Sequence, residues 1–240
     1  MQRREQPIAT AIIVAAGKGE RFGAPDKVFL PLGGRPLIAH ILDTTEQSAT
    51  IRDVVLVVGE HTRGTAQDLV EEGGWSKVQA VVTGGDRRQE SVVAGLSNVS
   101  LSTEIVVIHD GARPLVTAAL FDACIIAATS TGAAIAAAPI TDTVKRVSAA
   151  KIVETIPREH LWAAQTPQAF RIDLLRRAVD LAARERLSVT DEASILEAMG
   201  VPVVIVPSTN ANLKITHLDD LWIAEALYAH RSGDLPEIEP

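Results

Sequence analysis

The sequence predicts an α/β fold: a three-layer sandwich around a mostly parallel mixed sheet, Rossmann-like, with a protruding antiparallel β-arm. Strand-like and helix-length segments alternate from one end to the other, the order that right-handed crossovers produce. The strand-like runs are continuous in Val and Ile rather than alternating with polar residues, so both faces of the sheet are covered. One stretch, at about 139–162, breaks this order with two polar, β-branched runs that read as a hairpin.

In chain order, PIATAIIVAA (7–16) is an apolar strand that stops at glycine. PLIAHILDTTEQS (36–48) has apolar residues at helical spacing, and VVLVVGE (54–60) is a buried strand ending in glycine. TAQDLVEEG (65–73) reads as helix, VQAVVTGGD (78–86) as strand and turn, and QESVVAGLSNV (89–99) as helix. EIVVIHDGARP (104–114) is a strand and loop, and TAALFDACIIAATS (117–130) and AAIAAAPI (133–140) continue the alternation. The arm follows, with SAAK (148–151) between its two runs. A two-stranded ribbon is marginal alone, so the arm is expected to pack on a partner, a second copy of the chain. Beyond it, RIDLLRRAVDLAARERL (171–187) is a helix and VPVVIVPS (201–208) a strand. NLKIT (212–216) is strand-like, and THLDDLWIAEALYAH (216–230) closes the chain as a helix with Thr216 or Asp219 near its N-cap. No repeat, low-complexity segment or linker divides the chain. Residues 1–240 therefore read as a single domain that includes an arm used for dimerisation.

Composition narrows the function. A length of 240 residues at 47% hydrophobic sustains a large core, and no run approaches the roughly 18 apolar residues of a membrane span. The start MQRREQP is charged and has no signal-type stretch, so a cytoplasmic protein is expected. A net charge of −7 with 3% aromatic residues argues against a nucleic-acid partner. Cys124 is the only cysteine, which excludes an internal disulfide or a thiolate metal cluster; its apolar surroundings mark a buried structural thiol. The histidines form no metal-ligand pattern, and His109 is expected to be packed and hydrogen-bonded rather than an acid or base. An acidic protein that binds phosphates must gather its cations locally, so the feature to seek is clustered Lys and Arg beside glycine.

IIVAAGKGERFGAPDK (12–27) has that character. A dinucleotide fingerprint would need glycine where Phe22 stands and an acidic residue ending a second strand, whereas Asp43 lies in the helical segment. No G-K-[ST] follows at Walker spacing either. What remains is an A-A-G-x-G-x-R loop. Ala15, Ala16, Gly17 and Gly19 let the backbone approach a bulky ligand and aim N–H groups at its phosphates, while Arg21 supplies a fork of donors and Lys27 a mobile charge.

At this loop the chain resembles nucleotidyltransferases that activate sugars and polyols as nucleoside diphosphates. TGGDRRQESVVAGL, VVIHDGARPLVT, ITDTVKR, QTPQAF, VTDEAS and NANLKITHLDDL then occur in order over almost the whole chain. Together they resemble the 2-C-methyl-D-erythritol 4-phosphate cytidylyltransferase family, with a glycosyltransferase-A-like fold. Two positions depart from its usual pattern. Asp26 separates Pro25 from Lys27, and Gly111 stands where alanine is common, a change expected to be sterically mild.

The resemblance implies attack by the phosphate of methylerythritol phosphate on the α-phosphorus of CTP, with loss of pyrophosphate, on the non-mevalonate route to isoprenoid precursors. Arg21, Lys27, Arg158 and Lys214 are then the catalytic cations. The first two neutralise the triphosphate, and the last two hold the methylerythritol phosphate group. Ala15, Ala16, Gly17, Gly19, Gly85, Asp86, Ser91 and Asp110 match positions that bind CTP. Asp110, Gly111, Arg113, Thr143, Arg158, Thr166, Thr190 and Lys214 match the polyol phosphate site, where each threonine could instead cap backbone. Mg2+ is the expected cofactor, carried mainly by the CTP phosphates rather than by a protein cage. A homodimer is expected, its site shared if Arg158 reaches across. Two other readings stay open. A ribitol-5-phosphate cytidylyltransferase tends to carry DAVRP where this chain has DGARP, and a non-catalytic CTP-binding regulator would have no reason to keep Arg158 and Lys214.

Overall fold

The computed structural model describes residues 7–17, 26–187 and 189–233. The chain begins with β1 (Ala9–Ala15), followed by a 3-10 turn at Lys27–Phe29 and the short pair β2 (Pro31–Leu32) and β3 (Arg35–Pro36). Then come α1 (Leu37–Gln47), β4 (Ile51–Val58), α2 (Arg63–Gly73), β5 (Val78–Thr83), α3 (Arg88–Leu96) and β6 (Ile105–Asp110). The second half runs α4 (Ala118–Thr131), β7 (Ala133–Pro139), β8 (Val144–Ser148), β9 (Lys151–Ile156) and β10 (Trp162–Arg171). It finishes with α5 (Ile172–Glu185), α6 (Glu192–Ala198), β11 (Val204–Pro207) and α7 (Leu218–Ser232).

The expected three layers are present. A seven-stranded sheet has the order β11-β7-β10-β6-β1-β4-β5. β1 pairs in parallel with β4 and β6, and β4 with β5, while β10 runs antiparallel to both β6 and β7. Successive strand residues point to opposite faces, so Ile13 and Ile12 of β1 enter different cores. Ile13, Leu56 and Val107 pack with Ile38, Ile41 and Leu42 of α1 and with Phe121 and Cys124 of α4. On the other face Ile12, Val57 and Ile108 meet Val92 and Leu96 of α3, Leu175 of α5 and Leu196 of α6. Burying each such large side chain stabilises the fold by about 1.5–3 kcal/mol. A third cluster of Leu32, Leu37, Leu115, Ile215 and Ala224 seats α7 beside β2 and β3.

The arm is an excursion between β7 and β10. β8 and β9 form their own two-stranded antiparallel sheet, turned by Ala149 and Ala150 at φ 47 and φ 61. A two-residue turn with both residues left-handed matches the twist of the strands it joins. Val147, Ile152 and Val153 on this ribbon are exposed.

QTPQAF belongs to β10, whose antiparallel pairing with β6 and β7 makes the mostly parallel sheet mixed, as expected. VTDEAS opens α6, whose N-cap Asp191 accepts from the Ser194 amide. NLKIT is not a strand; residues 213–216 run as irregular backbone, tied by the Ile215 amide to the Ala112 carbonyl at 2.8 Å. The N-cap of α7 is His217, between Thr216 just before it and Asp219 in the first turn, and Asp220 accepts from the amides of Thr216 and His217 at 2.7 Å.

Candidate active site

β1, β5 and β6 lie in the parallel part of the sheet, so their carboxyl ends open on one edge, the usual place for a ligand in this architecture. Ala15 ends β1 buried, and Gly17 just beyond it is exposed. The turn after β5 comes very close to this end. A Cβ at Gly84 would lie 2.6 Å from the Ala16 Cβ and 2.5 Å from the Ser91 Oγ, so only glycine fits there. Gly85 and Asp86 continue the turn, and Ser91 is buried inside α3 with its hydroxyl directed at the Arg87 carbonyl, 3.4 Å away.

Asp110, the last residue of β6, is the ionic centre. It is 7% exposed. Its Oδ2 accepts from the Lys214 ammonium at 2.7 Å, its Oδ1 accepts from Arg88 Nε at 3.2 Å, and Arg113 Nε lies 3.9 Å away. Burial pushes the Asp110 carboxyl up, but the charges of Lys214 and Arg88 outweigh it and hold the group well below the usual carboxylate range. Arg88 also grips Glu192, its Nη1 lying 2.8 and 2.7 Å from the two carboxylate oxygens. Glu192 shows the opposite balance, with burial raising it and Arg88 offsetting only part.

His109 and Thr166 brace this centre from behind. The Thr166 hydroxyl accepts from the Asp110 amide at 3.0 Å and meets His109 Nδ1 at 3.1 Å. His109 Nε2 faces the Arg113 carbonyl at 3.1 Å, so Nε2 carries the proton and Nδ1 accepts from Thr166. Burial pushes the imidazole down to about 4, and it is neutral at pH 7. His109 is thus packed and hydrogen-bonded as expected. Cys124 is buried in α4 with its thiol pushed up to about 12 by burial.

The irregular strap at 212–216 draws in two further cations. Lys27 Nζ donates to the Ile215 carbonyl at 2.8 Å, one residue beyond Lys214. Arg113 Nη1 donates to the Asn212 carbonyl at 2.7 Å. Asp26, the residue that departs from the family pattern, adopts φ 65 and pairs with His61 Nε2 at 2.6 Å. Aspartate tolerates that left-handed backbone better than most residues. Gly111 corrects another expectation: a Cβ there would sit 2.9 Å from the Ala15 Cβ and 3.2 Å from the Val14 carbonyl oxygen, so alanine requires the end of β1 to shift.

A pocket of about 170 Å³ opens over this centre, lined among others by Arg88, Asp110, Arg113, Thr166, Thr190 and Lys214. Arg21 and Gly19 lie outside the described residues. Thr143 and Arg158 sit on exposed backbone at the base of the arm and do not line the pocket. Arg88, Glu192 and Gly84 escaped sequence reading. Each lies in or beside a quoted motif, but nothing local indicates that Arg88 and Glu192 pair across 104 positions. Among the described residues, no group of His, Cys, Asp and Glu is arranged to hold a metal, and no helix is long and apolar enough to cross a membrane.

Comparison with known proteins identifies the family. Residues 9–230 match the family model described as 2-C-methyl-D-erythritol 4-phosphate cytidylyltransferase. A relative of that name from Dehalococcoides mccartyi is 44% identical over 218 residues, 90% of this chain and 94% of that protein. Another from Pelotomaculum thermopropionicum is 42% identical over 230 residues, 95% and 97% of the two chains. Among solved structures, 4-diphosphocytidyl-2C-methyl-D-erythritol synthase from Anaerococcus prevotii superposes with a TM-score of 0.83 at 29% identity, covering 95% of this chain and all of that one. The 2-C-methyl-D-erythritol 4-phosphate cytidylyltransferase of Thermus thermophilus gives 0.76 at 33% identity, covering 92% and 98%.

Proposed function

Since this chain belongs to the 2-C-methyl-D-erythritol 4-phosphate cytidylyltransferase family, we propose that the cleft over Asp110 is where it transfers CMP from CTP to 2-C-methyl-D-erythritol 4-phosphate. The enzyme is a cytidylyltransferase of the non-mevalonate pathway, and its products are 4-diphosphocytidyl-2-C-methyl-D-erythritol and pyrophosphate. One observation carries the assignment of the site. Lys27 and Lys214, which lie far apart in the chain, are brought to adjacent residues of one strap beside a buried carboxylate.

In the reaction a phosphate oxygen of the polyol attacks the α-phosphorus, a new P–O bond forms, and the bond to the β-phosphate oxygen breaks as pyrophosphate leaves. The attacking oxygen is already anionic near neutral pH, so no general base is needed. The work is positioning and charge neutralisation. Arg21 and Lys27 are assigned to the triphosphate, supported by the loop chemistry and by the station of Lys27 at the strap. Ala15, Ala16, Gly17 and Gly19 give the backbone close approach to it. Gly85 and Asp86 in the turn after β5, with Ser91 behind them in α3, are assigned to cytosine and ribose. Lys214 and Arg158 are assigned to the methylerythritol phosphate group, with Gly111, Arg113, Thr143, Thr166 and Thr190 around the polyol. Thr166 spends its hydroxyl on Asp110 and His109, so its contribution is to hold the wall of the pocket.

A magnesium ion is compatible with this site when CTP carries it, because Asp110 is a carboxylate at neutral pH beside the cleft and hydrated magnesium takes few protein ligands. Both Asp110 oxygens are engaged, by Lys214 and Arg88, so the ion would be held mainly by the phosphates with Asp110 close by, and would supply neutralisation of the triphosphate. The homodimer is supported by the exposed Val147, Ile152 and Val153 on the otherwise polar arm and by Thr143 and Arg158, which do not line the pocket of their own chain. In a dimer the arm would bring them to the neighbouring site. Dependence on CTP argues for a cytoplasmic location.

Pyrophosphate release with CTP and methylerythritol phosphate, and none with ribitol 5-phosphate, is the expected result. Turnover with ribitol 5-phosphate alone overturns the substrate assignment, and CTP binding without turnover points to a regulator. Specific activity that falls on dilution as monomers form supports the shared site; constant activity through that range removes it.

A further inference from the structure

The pair formed by Arg88 and Glu192 has no part in the chemistry assigned above, yet it is built at the border of the site from elements distant in sequence. Arg88 is the first residue of α3 and Glu192 the first of α6. Glu192 is 1% exposed and does not line the pocket, whereas Arg88 does. One guanidinium links two carboxylates: Nη1 holds both oxygens of Glu192 and Nε holds Oδ1 of Asp110. The other oxygen of Asp110 is left to Lys214.

Such a chain has a physical consequence. The terminal torsion of an aspartate side chain is soft, so a carboxylate plane is fixed only by partners on both oxygens. Arg88 fixes one. It also neutralises part of the Asp110 charge, which weakens the hold of Asp110 on Lys214. An ammonium held by an unshared carboxylate would resist transfer to an incoming phosphate. Glu192 in turn keeps Arg88 from swinging outward to solvent or inward to the phosphates.

We propose that Arg88, anchored by Glu192, is a positioning residue for cytidylyl transfer, orienting Asp110 so that Lys214 is presented to the phosphate of the polyol substrate. This rests on the reading of the cleft given above. The competing account is that the pair only holds α3 to α6.

The double variant R88M/E192M separates the two accounts. Replacing a buried ion pair by apolar residues of similar volume is often neutral or stabilising. A merely structural pair would therefore recover both melting temperature and turnover. A positioning role predicts a melting temperature close to that of the unaltered protein while kcat falls roughly 10–100-fold, as displacement of a reacting group by about 1 Å does. KM for CTP should change less than about threefold while KM for methylerythritol phosphate rises, because Lys214 faces the second substrate. Arg88→Lys, which keeps the charge but not the fork, is the companion variant. It should fold normally and lose several-fold in kcat. Turnover within about twofold of the unaltered enzyme in either folded variant overturns the proposal. If the unaltered enzyme itself releases no pyrophosphate with methylerythritol phosphate, the functional reading falls; if it does and the variants match it, only the role of Arg88 falls.

Discussion

Replacing Asp110 by asparagine tests the ionic centre most directly. The side chain keeps its size and loses its charge, leaving Lys214 at 2.7 Å, Arg88 at 3.2 Å and Arg113 at 3.9 Å without their common counter-ion. Breaking a fully buried pair by removing one partner costs about 3–5 kcal/mol. Here the loss is smaller, because the Lys214 side chain is 34% exposed and turns to water, and Arg88 retains Glu192. The expected destabilisation is about 2–3 kcal/mol. Urea titration at neutral pH and low salt measures it, whereas guanidinium would screen the charges. The sign with pH follows from the depressed Asp110 carboxyl. Its stabilisation is fully present above the unfolded-state value of about 3.9 and fades as pH drops further. The gap between the two proteins should therefore be flat at neutral pH and close below about pH 4. Turnover should fall about 10²-fold, the usual loss when one preorganised charge contact is removed. A destabilisation below about 1 kcal/mol, or a gap that widens in acid, would refute the placement of Asp110 at the centre of these cations.

Thr166→Val removes a hydroxyl that satisfies both the Asp110 amide and His109 Nδ1, so thermal or urea unfolding should show a loss of about 1–3 kcal/mol despite the matched shape. His109 is neutral when folded, with its imidazole pushed down to about 4, while the unfolded chain takes up that proton near pH 6.5. Stability should decline as pH falls from about 6.5 to 4, by about 3 kcal/mol in full, and His109→Gln should flatten that limb of a pH–stability curve. Cys124, buried with a thiol pushed up to about 12, should resist iodoacetamide at pH 8 in the folded protein and react after denaturation, as mass spectrometry would record.

Elements whose signal is local were legible in advance. Helical spacing in 36–48, the continuous apolar runs of β1, β4 and β6, and the polar ribbon around SAAK all name their own structure because period and composition act within a few residues. The expectation of an anion site at the glycine loop rests likewise on local composition, small residues beside Arg21 and Lys27. Family resemblance extended that reading to Asp110, Arg113, Thr166, Thr190 and Lys214, which do surround one pocket.

What escaped depends on partners far along the chain. An apolar run specifies burial but not direction, so β10 could not be known to run antiparallel between β6 and β7. Gly84 reads as an ordinary turn glycine until Ala16 and Ser91 are seen to crowd it. Glu192 looks like one more first-turn acid on a helix, and Arg88 like its neighbour Arg87, until folding sets one under Asp110 and the other behind it. Residue type and spacing establish that cations and glycines are available for a nucleotide. Which of them share a single carboxylate is decided by sheet order and by the strap at 212–216, since electrostatic pairing depends on distance in space and carries no local pattern along the chain.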